Sequence, residues 1–204
     1  MQMYYTASKP LRLRQTGIMV WLLMHLSSFV TVTANAAPEL ETLKKEAAAT
    51  IESFTKTDPG LKQFFSNSAG YAVFPSVGKG GFVLGGAHGS GLAYERGKLI
   101  GRASVTQVTF GAQIGGQEFS EIIFFETPEA LARFKTSKLE MSAQLSAVAA
   151  AEGASKDAKY IGGVAVFTRA VRGLMAEASI GGQKLRFQDL AQPAKPAKPA
   201  KKKA

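Results

Sequence analysis

Between residues 70 and 126 about one residue in every four or five is glycine, and the glycines fall inside short apolar runs as well as between them. The stretch reads GYAVFPSVGKGGFVLGGAHGSGLAYERGKLIGRASVTQVTFGAQIGGQEFSEIIFFE. Runs enriched in β-branched and aromatic residues at 71–75, 82–86, 91–95, 98–107, 109–113 and 119–125 have the length and composition of strands. A glycine within a strand offers no side chain to pack, so it marks a bulge, a sharp bend or a close approach of backbones. Glycine at this density demands a strongly curved sheet, closing into a barrel or a tight sandwich. The last run carries Glu118, Ser120 and Glu121 near its start and continues as Ile122-Ile123-Phe124-Phe125, which fits a well-buried strand.

The same glycines fail the spacing of phosphate loops. A P-loop needs four residues between its glycines and then Lys-Ser or Lys-Thr, whereas Gly91 and Gly97 have five between them and Lys98 precedes Leu99. In the dinucleotide pattern G-x-G-x-x-G, Gly78 and Gly80 are followed by Val83, and Gly89 and Gly91 by Tyr94. The glycines are architectural.

The chain of 204 residues has no cysteine, which removes disulfides, thiolate metal sites, a cysteine nucleophile and a lipidated-cysteine anchor. Its net charge of +10 points toward nucleic acid or membrane, but most of that charge lies at the two ends. Lys9, Arg12 and Arg14 fall in 1–36, and Lys195, Lys198, Lys201, Lys202 and Lys203 in 191–204, which leaves +2 for residues 37–190. Residues 1–36 read as a cleaved signal peptide: a basic start, an apolar run over 18–32, then Ala34-Asn35-Ala36. The run is shorter than the ~20 residues of a spanning helix. Cleavage near Ala36/Ala37 would place the mature chain in the periplasm or outside the cell. Residues 191–204, AQPAKPAKPAKKKA, cannot build a core and favour extended polyproline II. They read as a disordered, semi-rigid cationic tail about 40 Å long at ~3.1 Å per residue.

Leu40, Leu43, Ala47, Ile51 and Phe54 recur at three- and four-residue steps, so 38–57 is expected to be a helix packed on the sheet by one apolar stripe. Lys44 and Lys45 share its polar face with Glu46 and Glu52, unlike the Lys/Arg-rich face of a membrane-surface helix. Asp58-Pro59-Gly60 reads as a turn, and 61–65 as a short helix presenting Phe64 and Phe65. Thr127-Pro128-Glu129 is a helix start with Thr127 as cap. The alanine-rich 139–151 is expected to be helical. Residues 160–187 return to β character and echo the first sheet region. Ala72-Val73-Phe74 recurs as Ala165-Val166-Phe167, and Ile114-Gly115-Gly116-Gln117 as Ile180-Gly181-Gly182-Gln183. The fold class is α+β: a curved glycine-rich, mainly antiparallel β-sheet or barrel with packed α-helices.

Little in the body suggests chemistry. Beyond the leader the only histidine is His88, with no nucleophile motif around it, and it reads as an exposed strand residue. One histidine without cysteine makes no transition-metal site. Glu118 and Glu121, three apart, should point to opposite faces of their strand and read as solvated edge charges rather than an acid–base pair. No catalytic residue, metal or cofactor is expected.

The run GYAVFPSVGKGGFVLGGAHGSG, with TFGAQIGGQ after it and GLMAEASIGGQKL later, resembles the SYLF domain, and the likeness covers about residues 61–187. The resemblance implies a lipid-binding module for phosphoinositides or other anionic phospholipids, without enzymatic chemistry. Eukaryotic members also engage actin-regulating proteins, partly through separate modules that this chain lacks, and a secretory signal would carry it away from a cytoskeleton.

An anionic headgroup needs fixed cations beside an apolar surface. The candidates are Lys79 in a Gly78–Gly81 turn, Arg96 and Lys98 around Gly97, Arg102, and Arg169 and Arg172 before Gly173. If the Ala-Val-Phe echo marks equivalent strands, Lys79 and Arg172 occupy corresponding turns and flank one face. The five tail lysines would add attraction to an anionic surface of about 1 kcal/mol each at most. The leading expectation is an exported domain on anionic phospholipid membranes. The alternative is a cell-envelope structural protein that binds a protein or an acidic polymer. Nucleic acid fits an exported chain poorly.

Overall fold

The computed structural model describes residues 36–137, 139–141, 148–149 and 152–190. The leader expected over 1–36, save Ala36, and the tail at 191–204 lie outside the described residues. Among the described residues three α-helices, α1 (Ala36–Thr57), α2 (Leu61–Asn67) and α3 (Pro128–Lys135), accompany one curved sheet. The glycine-rich region forms three long strands where six short ones were expected: β1 (Gly70–Gly81), β2 (Leu84–Glu95) and β3 (Lys98–Phe125). Two short strands, β4 (Glu140–Met141) and β5 (Val148–Ala149), precede the long β6 (Val164–Asp189).

The sheet is a set of nested hairpins. β1 and β2 pair antiparallel around a tip at Phe82 and Val83, with Gly81 opposite Gly85. β3 runs from Glu95↔Lys98 to Leu84↔Phe110 along β2, rounds that tip, and returns along β1 from Gly81↔Gly115 to Gly70↔Phe125. β6 follows β3 through the whole bend, from Gly101↔Asp189 to Phe125↔Val164. Two glycines carry the turn of β3: Gly111 has φ 143° and Gly115 φ 115°, a region that side chains rarely tolerate. Gly111, inside a run expected as one strand, and Gly115, between two expected strands, are both bends inside one continuous strand.

The register also separates the two echoes. Gly115 and Gly116 lie opposite Gly81 and Gly80, while Gly181 and Gly182 lie opposite Thr109 and Val108, whose other partners are Gly85 and Gly86. Both Ile-Gly-Gly-Gln copies thus stand at one level on either side of the tip. The Ala-Val-Phe copies are not equivalent. Val73 and Phe167 both pair with Ile122, so the repeat is offset by one residue and its letters face opposite sides.

Curvature gives the sheet an inner face with its own core. Ala72, Phe74, Val77, Val105, Phe119, Ile123, Phe125, Val166 and Leu185 meet there with Leu131 and Phe134 of α3. On the outer face, at the end away from the tip, α1 and α2 cover Tyr71, Val73, Leu92, Ile122, Phe124 and Phe167. Strict alternation along β3 explains the apolar run at its end, since Ile122 and Phe124 pack outward while Ile123 and Phe125 pack inward. Phe64 and Phe65 of α2 set their rings against Phe124 at 5.4 and 4.8 Å between centroids. Thr127 caps α3, its side chain accepting from the Ala130 amide.

The helix expected over 139–151 is corrected at 140–141 and 148–149, while 142–147 and 150–151 lie outside the described residues. Residues 140–141 pair with β6 at Lys184 and Gln183, and 148–149 run parallel to it at Phe167 and Thr168. Both limbs of β6 offer an open edge to these residues, and pairing with it outweighs the high helix propensity of alanine.

One buried carboxylate ties the helical layer to the segment before β6. Asp58, 2% exposed, accepts from the Ser155 amide at 2.7 Å, the Ser155 hydroxyl at 2.9 Å and the Gly60 amide at 3.0 Å. Burial opposes its charge, but these donors hold the carboxyl below its ordinary pKa. A carboxylate lowered in this way adds stability that is present above its unfolded pKa and lost as pH falls through the folded value. Asp58→Ala is expected to lower unfolding free energy by about 2–3 kcal/mol, since the Ser155 amide loses its partner. Urea melts at pH 7 and below pH 4 check this, with the gap between variant and parent narrowing in acid.

Candidate functional site

Large apolar side chains stand in water around the tip of the nested hairpins. Phe82 is 70% exposed, Leu84 66%, Phe110 64%, Ile114 60% and Val108 58%, with Val83 and Val171 also exposed. The register makes them neighbours: Leu84 pairs with Phe110, and the Gly111 and Gln113 amides donate to the Val83 and Phe82 carbonyls. An exposed apolar cluster of this kind on a monomer marks a contact surface. Beneath it the inner face is polar. Thr109 and Gln113 are buried, the Thr109 hydroxyl donating to Gln113 Oε1 at 2.8 Å and Gln113 Nε2 to the Val83 carbonyl at 3.2 Å.

The structure divides the six cations singled out in the sequence. Arg172 lies on the outer face of β6 and pairs with Glu118, whose Oε1 accepts from the Ser76 hydroxyl at 2.5 Å. Ser76 first, and Arg172 with it, hold Glu118 below its ordinary pKa. Arg169 sits nearby on the same strand and lines a groove of about 510 Å³ between α1 and the sheet, with Thr50, Phe54, Ser76 and Val171. Arg102 belongs to a second groove of about 440 Å³ with Arg186, and forms an ion pair with Glu39 of α1 at 3.3 Å. Arg96 and Lys98 are exposed at the β2–β3 turn, the end of the hairpin opposite the tip. Lys79 is not in a turn: it lies within β1, half-buried on the inner face, opposite Ala87 and Gln117. Lys79 and Arg172 therefore do not flank one face. His88 is exposed on the outer face, its Nδ1 3.3 Å from Thr106 Oγ1.

Glu118 and Glu121 do point to opposite faces, but Glu121 is no edge charge. β3 begins at Lys98 and not at 119, so Glu121 lies well inside the strand and is fully buried on the inner face. Gln183 Nε2 donates to Oε1 at 2.5 Å, and Oε2 has no hydrogen-bond partner among the described residues. Burial pushes the carboxyl up to about 7, against the pull of Gln183 and of the Lys79 charge.

Sequence reading passed over the exposed tip, because Phe82, Leu84, Val108 and Phe110 look like strand core. The signal was present in 106–114, where Val108, Phe110 and Ile114 alternate with Gln107, Thr109 and Gln113. Alternation reveals two faces of unlike polarity and leaves open which one is inside.

A family model described as Ysc84, Las17-binding protein actin regulator, matches residues 106–192. That segment takes in most of β3 and all of β6, including Val108, Phe110, Ile114, Arg169 and Arg172. Beta cell expansion factor A of Aeromonas veronii is 32% identical over 152 residues, 69% of this chain and 57% of that protein. The chain belongs to the SYLF family. This chain spans 57% of the length of that curated relative. The SYLF family is one of binding domains rather than enzymes, and its membership suggests lipid or actin-regulator-related binding.

Glu121 gives this SYLF domain a testable pH response. With a folded pKa near 7, above the unfolded value of 4.5, the native state holds the proton more tightly. Stability is then greatest below the unfolded pKa and declines as pH rises through about 7. Glu121→Gln is expected to flatten denaturant stability between pH 5 and pH 8 and to raise it at pH 8 by up to about 3 kcal/mol. An unchanged slope would show that the carboxylate is not the titrating group.

Proposed function

We propose that this chain is an exported, non-enzymatic SYLF domain that binds membranes containing anionic phospholipid. The observation that carries the reading is the exposed apolar cluster at the hairpin tip, with Arg172 and Arg169 on the same limb of the sheet. An apolar surface beside fixed cations matches the two parts of a phospholipid, and family membership supports lipid as the ligand class. The secretory character of 1–36 supports a periplasmic or secreted location, and Lys195, Lys198, Lys201, Lys202 and Lys203 supply a further cationic segment. An exported chain meets no cytoskeleton, so the actin-regulator role in the family description is left out of this reading.

Flotation with vesicles tests it. The domain is expected to float with anionic vesicles and much less with zwitterionic ones. Arg169→Gln with Arg172→Gln should weaken anionic binding up to about thirtyfold at low salt, at ~1 kcal/mol per cation. Removing 191–204 should weaken binding and make it less salt-dependent; unchanged binding and slope would reject the tail's part. A tail-less body indifferent to lipid charge would favour an envelope protein that binds protein or acidic polymer.

A further inference from the structure

The outer face of the sheet changes character along one line. Lys184, Thr106, His88, Gly78, Glu118 and Arg172 are consecutive partners across the strands, a single row of polar residues and one glycine at one level. His88, Thr106 and Arg172 are exposed, and Glu118 is held by Ser76 and Arg172. Four residues nearer the tip on three of these strands stand Leu84, Phe110 and Ile114. Between the row and the tip, the described outward side chains are apolar or the positions are glycine: Gly80, Gly86, Val108, Ala112 and Gly116. The inner face over the same span carries Gln107, Thr109, Gln113 and Gln117. The tip is thus apolar outside and polar inside, the reverse of the body, where the inner face holds the core.

Four residues of strand rise about 13 Å, and one leaflet of hydrocarbon is about 15 Å thick, half of a ~30 Å core. A strand that spans a bilayer needs about 9–11 residues. Here the apolar outward run on β3, Val108 to Ile114, turns back at the glycines. No helix among the described residues is long and apolar enough to cross a membrane. Hydrocarbon also demands that backbone groups be paired internally. At the centre of the tip this demand is met, since the loop carbonyls of Phe82 and Val83 accept from Gln113 and Gly111 of the encircling strand.

We propose that the nested-hairpin tip is a wedge that enters one leaflet of a phospholipid bilayer and stops where the Lys184–Arg172 row reaches the headgroups. This rests on the lipid-binding reading above and adds the element, the depth and the stopping point. Phe82, Leu84, Val108, Phe110 and Ile114 enter hydrocarbon, and Arg172 and Lys184 lie at phosphate level, where their charge complements an anionic surface. Arg169 and its groove stay on the aqueous side of that row.

Because the chain has no cysteine, an introduced one is a unique label site. Leu84→Cys, Phe110→Cys, His88→Cys, Thr106→Cys and Arg96→Cys would each carry a nitroxide in the full chain, with oxygen and a nickel chelate as relaxing agents on anionic vesicles. The expected result is hydrocarbon depth at 84 and 110, headgroup depth at 88 and 106, and an aqueous signal at 96. Flotation is measured on the same samples. Protein that floats with 84 and 110 still aqueous overturns the wedge and leaves lipid binding standing; protein that does not float removes both. Labels at 88 and 106 deep in hydrocarbon overturn the one-leaflet depth. A 110 label shielded before vesicles are added, in protein that sediments as a dimer, assigns the cap to self-association and overturns the proposal. A label-free check is Leu84→Asp with Phe110→Asp, expected to lower vesicle partition about tenfold or more with thermal unfolding unchanged; partition equal to the parent's would sink the wedge.

Discussion

The passage of β3 around the β1–β2 tip governs the rest of the molecule. A strand of 28 residues that stayed straight would pair with one arm of the hairpin and leave the other as an open edge. By bending at Gly111 and Gly115 it pairs with both arms, and β6 repeats the detour one layer out. Close approach enforces the glycines: a Cβ on Gly81 would stand 2.5 Å from the Gly85 Cα, and one on Gly85 2.2 Å from Gln113 Oε1, the side chain that satisfies the Val83 carbonyl. Glycine, buried glutamine and paired loop backbone are one device.

That device divides the sheet into two halves with different solvents. Away from the tip both faces are covered, one by the inner core with α3 and the other by α1 and α2. Toward the tip no helix among the described residues follows, and the inner face fills with amide and hydroxyl side chains. Glu121 sits at the boundary, with Phe119 and Ile123 on the same strand face and Lys79 and Gln183 toward the polar side. Its raised pKa, and an Oε2 with no hydrogen-bond partner among the described residues, follow from that position, because the apolar half strips its water while Gln183 donates to Oε1.

Much of the fold was legible because it depends on local chemistry. The apolar stripe from Leu40 to Phe54, the Thr127-Pro128 start of α3 and the α+β class with curvature all follow from spacing and residue type. Strand number was not legible, since a glycine that bends a strand and one that ends it look alike in sequence. The helix expected at 139–151 failed at 140–141 and 148–149 because alanine records a preference and not the open edge of β6 nearby. Of the cations, residue type located the charges but not their faces: Lys79 and Arg172 lie one register step apart across β3 yet on opposite sides. The Arg96-Gly97 turn was right in kind, with φ 49° and 76°, and falls at the far end of the molecule from the apolar tip.

Magnitudes rank the two halves of the proposed membrane contact. A cation at an anionic surface contributes about 1 kcal/mol, screened within a Debye length, and Arg172 already shares its charge with Glu118. Full burial of a leucine or phenylalanine side chain contributes about 1.5–3 kcal/mol. Phe82, Leu84 and Phe110 each retain more than half of their exposure, so even partial transfer of these three to hydrocarbon outweighs the cations of the body. Affinity at physiological salt would then come from the apolar tip, whereas lipid charge preference and salt dependence would come from Arg169, Arg172 and the tail lysines. A surface held by charge alone would need no exposed phenylalanines, and their cost in water is explained only if the tip is not always in water.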